Sequence, residues 1–152
     1  MGRISKCLDS TSNLPTDVSF MFKGEGGQVN EVKAHKLILG IASEVFQRAF
    51  FGSFEVESKI DVEDISVEVF KAMVDFIYNK KMTWNDYELS FLASLYYVAD
   101  KYDISELRDE IIASIPEHEI TDENVMDVAI LAEANTHHQP LSNALYDAVK
   151  CF

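Results

Sequence analysis

From Asp17 onward the chain alternates, Val18, Phe20 and Phe22 facing one way and Ser19, Met21 and Lys23 the other, which is the period of a half-buried strand. Gly24 ends the alternation, and Gly24-Glu25-Gly26-Gly27 has the composition of a reverse turn before a second extended run, Val29 to Val32. The pattern predicts a β-hairpin. Lys36 to Leu39 and Glu44 to Phe50 have the make-up of two short helices, with Ser43 placed to cap the second. Lys59-Ile60-Asp61-Val62 is a third short strand. After Ser66, another N-cap, the residues Val69, Phe70, Met73, Val74 and Ile77 recur at helical spacing up to Asn79, so that helix is expected to be largely buried.

Beyond it the pattern is helical. A helix from about Asp86 to Lys101 carries Leu89, Leu92, Leu95, Tyr96 and Ala99, and another from Ser105 to Ser114 carries Leu107, Ile111 and Ile112 and is closed by Pro116. Thr121-Asp122-Glu123 offers a capping hydroxyl and two acids for the positive end of a helix dipole, with Val125, Val128, Ala129 and Ala132 as its inward stripe. A last helix around Leu141, Leu145 and Val149 begins near Pro140, where a proline costs least. Three short strands among many helices, without repeats or low-complexity tracts, make an α+β fold. Residues 1–16 form a polar leader with an isolated Ile4, Cys7 and Leu8 cluster, either a short amphipathic helix or a flexible arm.

The 152 residues include 26 acidic and 13 basic side chains, a formal net charge of -13. Such a field repels phosphate backbones and anionic lipid, which argues against nucleic acid or membrane as a direct partner and makes a basic protein groove or helix the easier ligand. No apolar run reaches signal-peptide length at the N-terminus or bilayer-spanning length elsewhere, and Lys6 stands where a myristoylation pattern wants Ser or Thr. Cys7 and Cys151, near opposite ends, supply neither a disulfide framework nor a zinc quartet. The expectation is a soluble protein of a reducing compartment, cytoplasmic and/or nuclear, with no cofactor and no metal.

The segments Asp17-Val18-Ser19-Phe20, Val32-Lys33-Ala34-His35-Lys36-Leu37-Ile38-Leu39, Ser43-Glu44-Val45-Phe46 and Phe50 make the chain resemble the BTB/POZ family. The resemblance continues in the family's order through Ile60-Asp61-Val62, Asp64-Ile65, Val69-Phe70, Phe76-Ile77-Tyr78 and Ala99-Asp100-Lys101-Tyr102. It covers residues 17–115 and implies a small three-stranded sheet capped by helical hairpins, a fold shared with elongin C and with potassium-channel tetramerisation domains. Residues 116–152 resemble the start of a BACK domain, and the helical pair at residues 121–150 is similar to the one called the 3-box in cullin-binding members. Only the beginning of such a domain is present, so the chain is either short or a piece of a longer protein.

What the resemblance implies is a protein-interaction domain and not an enzyme. The implied role is a dimeric substrate adaptor for a cullin-3 ubiquitin ligase, whose partners are the N-terminal domain of cullin-3, a second copy of the chain and a substrate protein of unknown identity. The alternative is a dimerising module of a transcription regulator or scaffold that recruits corepressor peptides. In cullin-binding members a loop carries an apolar residue, any residue and then Glu, a motif that docks on the cullin; here it falls within Phe50 to Ser58. The implied contacts are Phe51, Phe54, Glu55, Val56 and Glu57, with Tyr102 at a family position near the same surface, while Phe50 is expected to pack inside. If Glu57 is the motif's acid, the apolar position falls on Glu55; a one-residue slip brings Phe54 there, and the register stays open. Dimerisation is assigned to Leu14, Leu37 and Ile41, with core packing as the competing role of the last two.

Asp17 and Lys36 are expected to form a polar pair that anchors the hairpin to the following helix. His35, beside a strand end with no Ser or Cys nucleophile in a recognisable turn, is expected to be structural. His118, His137, His138 and Cys151 do not make a metal set, because adjacent histidines on a helix point in different directions. His137-His138 is instead expected to be a solvated helix start.

Overall fold

The computed structural model describes residues 15–52 and 57–152. By packing, the chain divides into two compact units, one of Met1–Lys81 with Tyr102–Ile104 and the other of Met82–Lys101 with Ser105–Phe152.

In the first unit, β1 (Val18–Lys23) and β2 (Val29–Ala34) form the expected antiparallel hairpin, Phe20 opposite Val32 and Phe22 opposite Asn30. Its turn depends on Gly26 and Gly27, at φ 79° and 82°, a region costly for residues with a side chain, and is closed by a 2.7 Å bond from the Gly24 N–H to the Gln28 carbonyl. β3 (Lys59–Val62) runs parallel to β1 on its other edge, Phe20 beside Ile60 and Phe22 beside Val62. Among the described residues the sheet order is thus β2-β1-β3. A parallel neighbour needs a crossover, and α1 (Lys36–Ala42) and α2 (Glu44–Phe51) lie in that connection. As the central strand, β1 has Val18, Phe20 and Phe22 buried.

α3 (Val67–Asn79) contacts α1 and β2. The Ser66 hydroxyl caps it by accepting from the Val69 N–H at 3.4 Å, and it ends where expected, with Lys80 left-handed at φ 56° and its N–H bonded to the Phe76 carbonyl. Phe70 on this helix meets Phe20 at 4.6 Å and Phe22 at 5.2 Å between ring centroids, forming an aromatic core under the sheet.

In the second unit, one 3-10 turn, Trp84–Asp86, precedes α4 (Leu89–Lys101), which therefore starts later than the expected Asp86. α5 (Ser105–Ser114) runs into another 3-10 turn, Ile115–Glu117, that holds Pro116. His118 accounts for both irregular stretches. Its Nδ1 lies 2.9 Å from the Ser114 carbonyl, and its Nε2 lies 3.1 Å and 3.0 Å from the carbonyls of Trp84 and Tyr87, so backbone groups that a longer helix would use face a side chain instead.

α6 (Val125–Ala134) also begins late. Asn124, and not Thr121, organises its start: the Asn124 Oδ1 accepts from the Thr121 N–H at 2.8 Å, and its Nδ2 donates to the Glu119 carbonyl at 3.0 Å. α7 (Gln139–Lys150) has Pro140 in its first turn, as expected. The two helices are joined by the buried Ser142 hydroxyl, which donates to the Ala132 carbonyl at 2.9 Å, and by the Tyr146 hydroxyl, which donates to the Glu133 carboxylate. Val128, Ala132, Leu141 and Leu145 are buried, whereas Val125, Ala129 and Val149 are only half-buried. Among the described residues no helix is long and apolar enough to cross a membrane.

Candidate protein-interaction surface

Ser43 sits at the join of α1 and α2 and is buried. Its hydroxyl is used in both directions, accepting from the Phe46 N–H at 3.1 Å and donating to the Tyr102 carbonyl. This places the Tyr102 ring flat on Phe46, centroids 4.4 Å apart and planes 11° apart, and edge-on to Phe70 at 6.2 Å. Phe46 stacks in turn on Phe50 at 5.5 Å. Tyr102 is half-buried and Phe50 buried, so one is a rim and the other a floor.

On α1 the apolar outer positions are wet: Leu37 is 64% exposed and Ile41 79%. Four apart, they share one face of the helix, and the inner positions are taken by Leu39 and Gly40. The competing core role for Leu37 and Ile41 therefore falls away. Phe51, at the end of α2, is 56% exposed and lies over Gly40, where a Cβ would come within 3.0 Å of its ring. Val45 on α2 is exposed as well. It was not singled out in the sequence, although its place beside the buried Phe46 and Phe50 marks it as off the inner stripe.

Gly52 directs the chain out of α2: a Cβ there would sit 2.3 Å from the Arg48 carbonyl oxygen, so no other residue fits without the backbone moving. Beyond it, Phe54, Glu55 and Val56 lie outside the described residues, as does Leu14; Glu57 is exposed.

The Asp17 and Lys36 pairing takes a different form from the one expected. The Asp17 carboxylate accepts from the Lys36 main-chain N–H at 2.8 Å, while the Lys36 ammonium reaches over the Phe50 ring at 5.9 Å. The reason is the start of α1, where His35 supplies no side-chain cap and a first-turn amide needs an acceptor. His35 instead faces Tyr78, its N–H donating to the phenol oxygen at 2.9 Å and its Nδ1 lying 3.0 Å from the same atom. Burial raises the Tyr78 pKa, the His35 N–H bond opposes that shift and the nearby Asp17 charge adds to it.

His137 and His138 also depart from expectation. Their rings are 4.2 Å apart, so they do not point in different directions. Both precede α7, and the description of a solvated start fits His137 alone, because the His138 side chain is tucked edge-on against Tyr96 and Tyr97 and only 13% exposed. Among the described residues no three His, Cys, Asp or Glu side chains are grouped to hold a metal ion.

The family model described as the BTB/POZ domain matches residues 9–119. A BTB/POZ domain-containing protein of Arabidopsis thaliana is 30% identical over 141 residues, covering 87% of this chain and 79% of that protein. A second one from the same plant is 35% identical over 117 residues, covering 70% of this chain and 51% of the relative. BTB/POZ domain-containing protein 6 of Xenopus laevis is 32% identical over 101 residues, 66% of this chain but 18% of that protein. The chain thus spans most of one relative, half of another and a small part of the third. Among solved structures, the BTB domain of zebrafish PATZ1 superposes with a TM-score of 0.54 at 24% identity, covering 67% of this chain and 76% of the other, which shows the fold.

Proposed function

The chain belongs to the BTB/POZ domain family of protein-interaction modules, and from that premise we propose that it is a dimeric substrate adaptor for a cullin-3 ubiquitin ligase. The observation that carries the reading is the exposed ring of Phe51, held over Gly40 at the end of α2 and followed by the enforced Gly52 exit. An aromatic side chain kept in water at the start of an acidic loop is suited to cover by another polypeptide, and aromatic anchors are the usual hot spots of interfaces. In this reading Phe51, Phe54, Glu55, Val56 and Glu57 dock on the N-terminal domain of cullin-3, with Tyr102 as the rim. The net charge of -13 favours a basic groove on that partner. Leu37 and Ile41, with Leu14, form the face that pairs with a second copy. Residues 116–152 act as a 3-box that widens the cullin contact, and the protein works in the cytoplasm and/or nucleus.

A second reading is a dimerising module of a transcription regulator or scaffold that recruits corepressor peptides. It is favoured by the acidic Glu55, which in one register takes the place that the loop motif reserves for an apolar residue. Calorimetry of the purified chain with the cullin-3 N-terminal domain separates the two. The adaptor binds, and Phe51→Ala, Phe54→Ala and Glu57→Lys each weaken binding by ~1 to 3 kcal/mol. A dimer that ignores the cullin up to high micromolar concentration and captures a corepressor peptide establishes the second reading instead.

A further inference from the structure

Within the second unit His138 occupies a position where a charged imidazole costs more than a neutral one. Its own backbone is fixed: the N–H donates to the Asn135 carbonyl at 2.8 Å, and the carbonyl accepts from the Ser142 N–H at 2.9 Å in the first turn of α7. The Cβ is thereby anchored to the first turn of α7, so the ring reaches the α4 tyrosines from that turn. It sits edge-on to Tyr96 at 5.4 Å and Tyr97 at 6.4 Å, both on α4. The Nε2 is buried and has no hydrogen-bond partner.

Charged and titratable groups face the ring from three sides among the described residues. From α4, Asp100 brings its Oδ2 to 3.8 Å from Nδ1. From α5, Arg108 holds the other Asp100 oxygen at 3.2 Å, so the one carboxylate near the imidazole is already shared with a guanidinium. Beside it in the chain lies the His137 ring at 4.2 Å, and the phenols of Tyr96 and Tyr97 lie against it from α4, with Asp109 acting on Tyr96.

We propose that His138 is a proton-operated latch on the C-terminal helical pair: the neutral ring holds α7 closed, and protonation loosens its first turns. A second ring proton gives Nε2–H no acceptor, competes with Arg108 for Asp100 and sets a positive charge at the positive end of the α7 dipole. The direction agrees with the electrostatics, since burial lowers the His138 pKa from its ordinary value of 6.5, His137 lowers it further and Asp100 opposes both. The sign follows from linkage. With the folded value depressed, the unfolded or opened chain binds the proton first as pH falls. The latch is at full strength above 6.5, weakens as pH drops from there toward the lowered folded value, and changes no more below it.

The test is a histidine NMR titration of the full chain, combined with amide exchange at pH 7.5 and 5.5 corrected for intrinsic rates. His138 is expected to titrate below 6.5, and the amides of Ser142, Ala144 and Leu145 are expected to lose protection at pH 5.5 by about fivefold or more while β1 to β3 stay unchanged. His138→Phe keeps a ring against the tyrosines and is expected to abolish the pH dependence; Asp100→Asn is expected to lower the titration further. If the phenylalanine variant does not fold, the wild-type titration and exchange decide the matter together. A His138 value at or above 6.5, protection of α7 that ignores pH, or pH dependence that survives in the phenylalanine variant overturns the proposal.

Discussion

Tyr102 reaches across the sequence to complete the surroundings of Phe46. Its carbonyl takes the Ser43 hydroxyl and its ring covers Phe46, so a single residue late in the chain closes the α2 side of the core. Truncation in Tyr102→Ala is expected to cost about 2 kcal/mol in urea unfolding, with Tyr102→Phe, which keeps the stack, recovering most of it. Asp75 on α3 makes the opposite kind of contribution. Partial desolvation raises its pKa against the pull of Lys71, but the side chain stays exposed, so water screens the effect and its charged form is only slightly disfavoured in the fold. The penalty is absent below the ordinary carboxylate value of 3.8 and appears as pH rises through the raised one. Thermal scans should therefore find Asp75→Asn slightly more stable than the parent at pH 7, the gain kept small by solvent, and equal to it near pH 3. The capping role of Ser43 was legible from its place before an amphipathic run; its second bond was not, because the acceptor is Tyr102, remote in sequence.

At the level of elements, periodicity located strands and helices better than it located their partners and ends. β1 was plain from its alternation, but nothing in Lys59–Val62 announces that it pairs parallel to β1, since direction is set by the connection and not by the strand. The starts of α4 and α6 were misplaced for one physical reason: His118 and Asn124 capture backbone groups by side-chain bonds whose partners no local pattern reveals. The outer face of α1 is the element most open to test. Leu37→Asp and Ile41→Asp are expected to turn a dimer into a monomer by sedimentation while changing the stability of the monomer by less than about 0.5 kcal/mol, because neither side chain is buried. For α2 the sensitive point is its exit. Gly52→Ala forces a Cβ against the Arg48 carbonyl and is expected to lower stability by more than about 1 kcal/mol in the same urea assay.

For the molecule as a whole, charge is the feature that sequence alone gives in full. With 26 acids against 13 bases, mutual repulsion opposes the folded state and salt screens it, so the thermal midpoint is expected to rise between low and half-molar sodium chloride in differential scanning calorimetry. The family was legible because its motifs are spread in order across residues 17–115, whereas the register of the proposed docking motif was not, its two registers differing by a single step between Phe54 and Glu55.

The turn Tyr102–Ile104 belongs with the first unit, although the helices on both sides of it pack in the other unit. On the ribosome, all three strands and α1 to α3 emerge ahead of the ring that shields Phe46, and α4 follows before that ring appears. A nascent chain halted anywhere in between carries a Phe46 that lacks the Tyr102 ring stacked on it, so translation must run well into the later unit before the earlier one is finished.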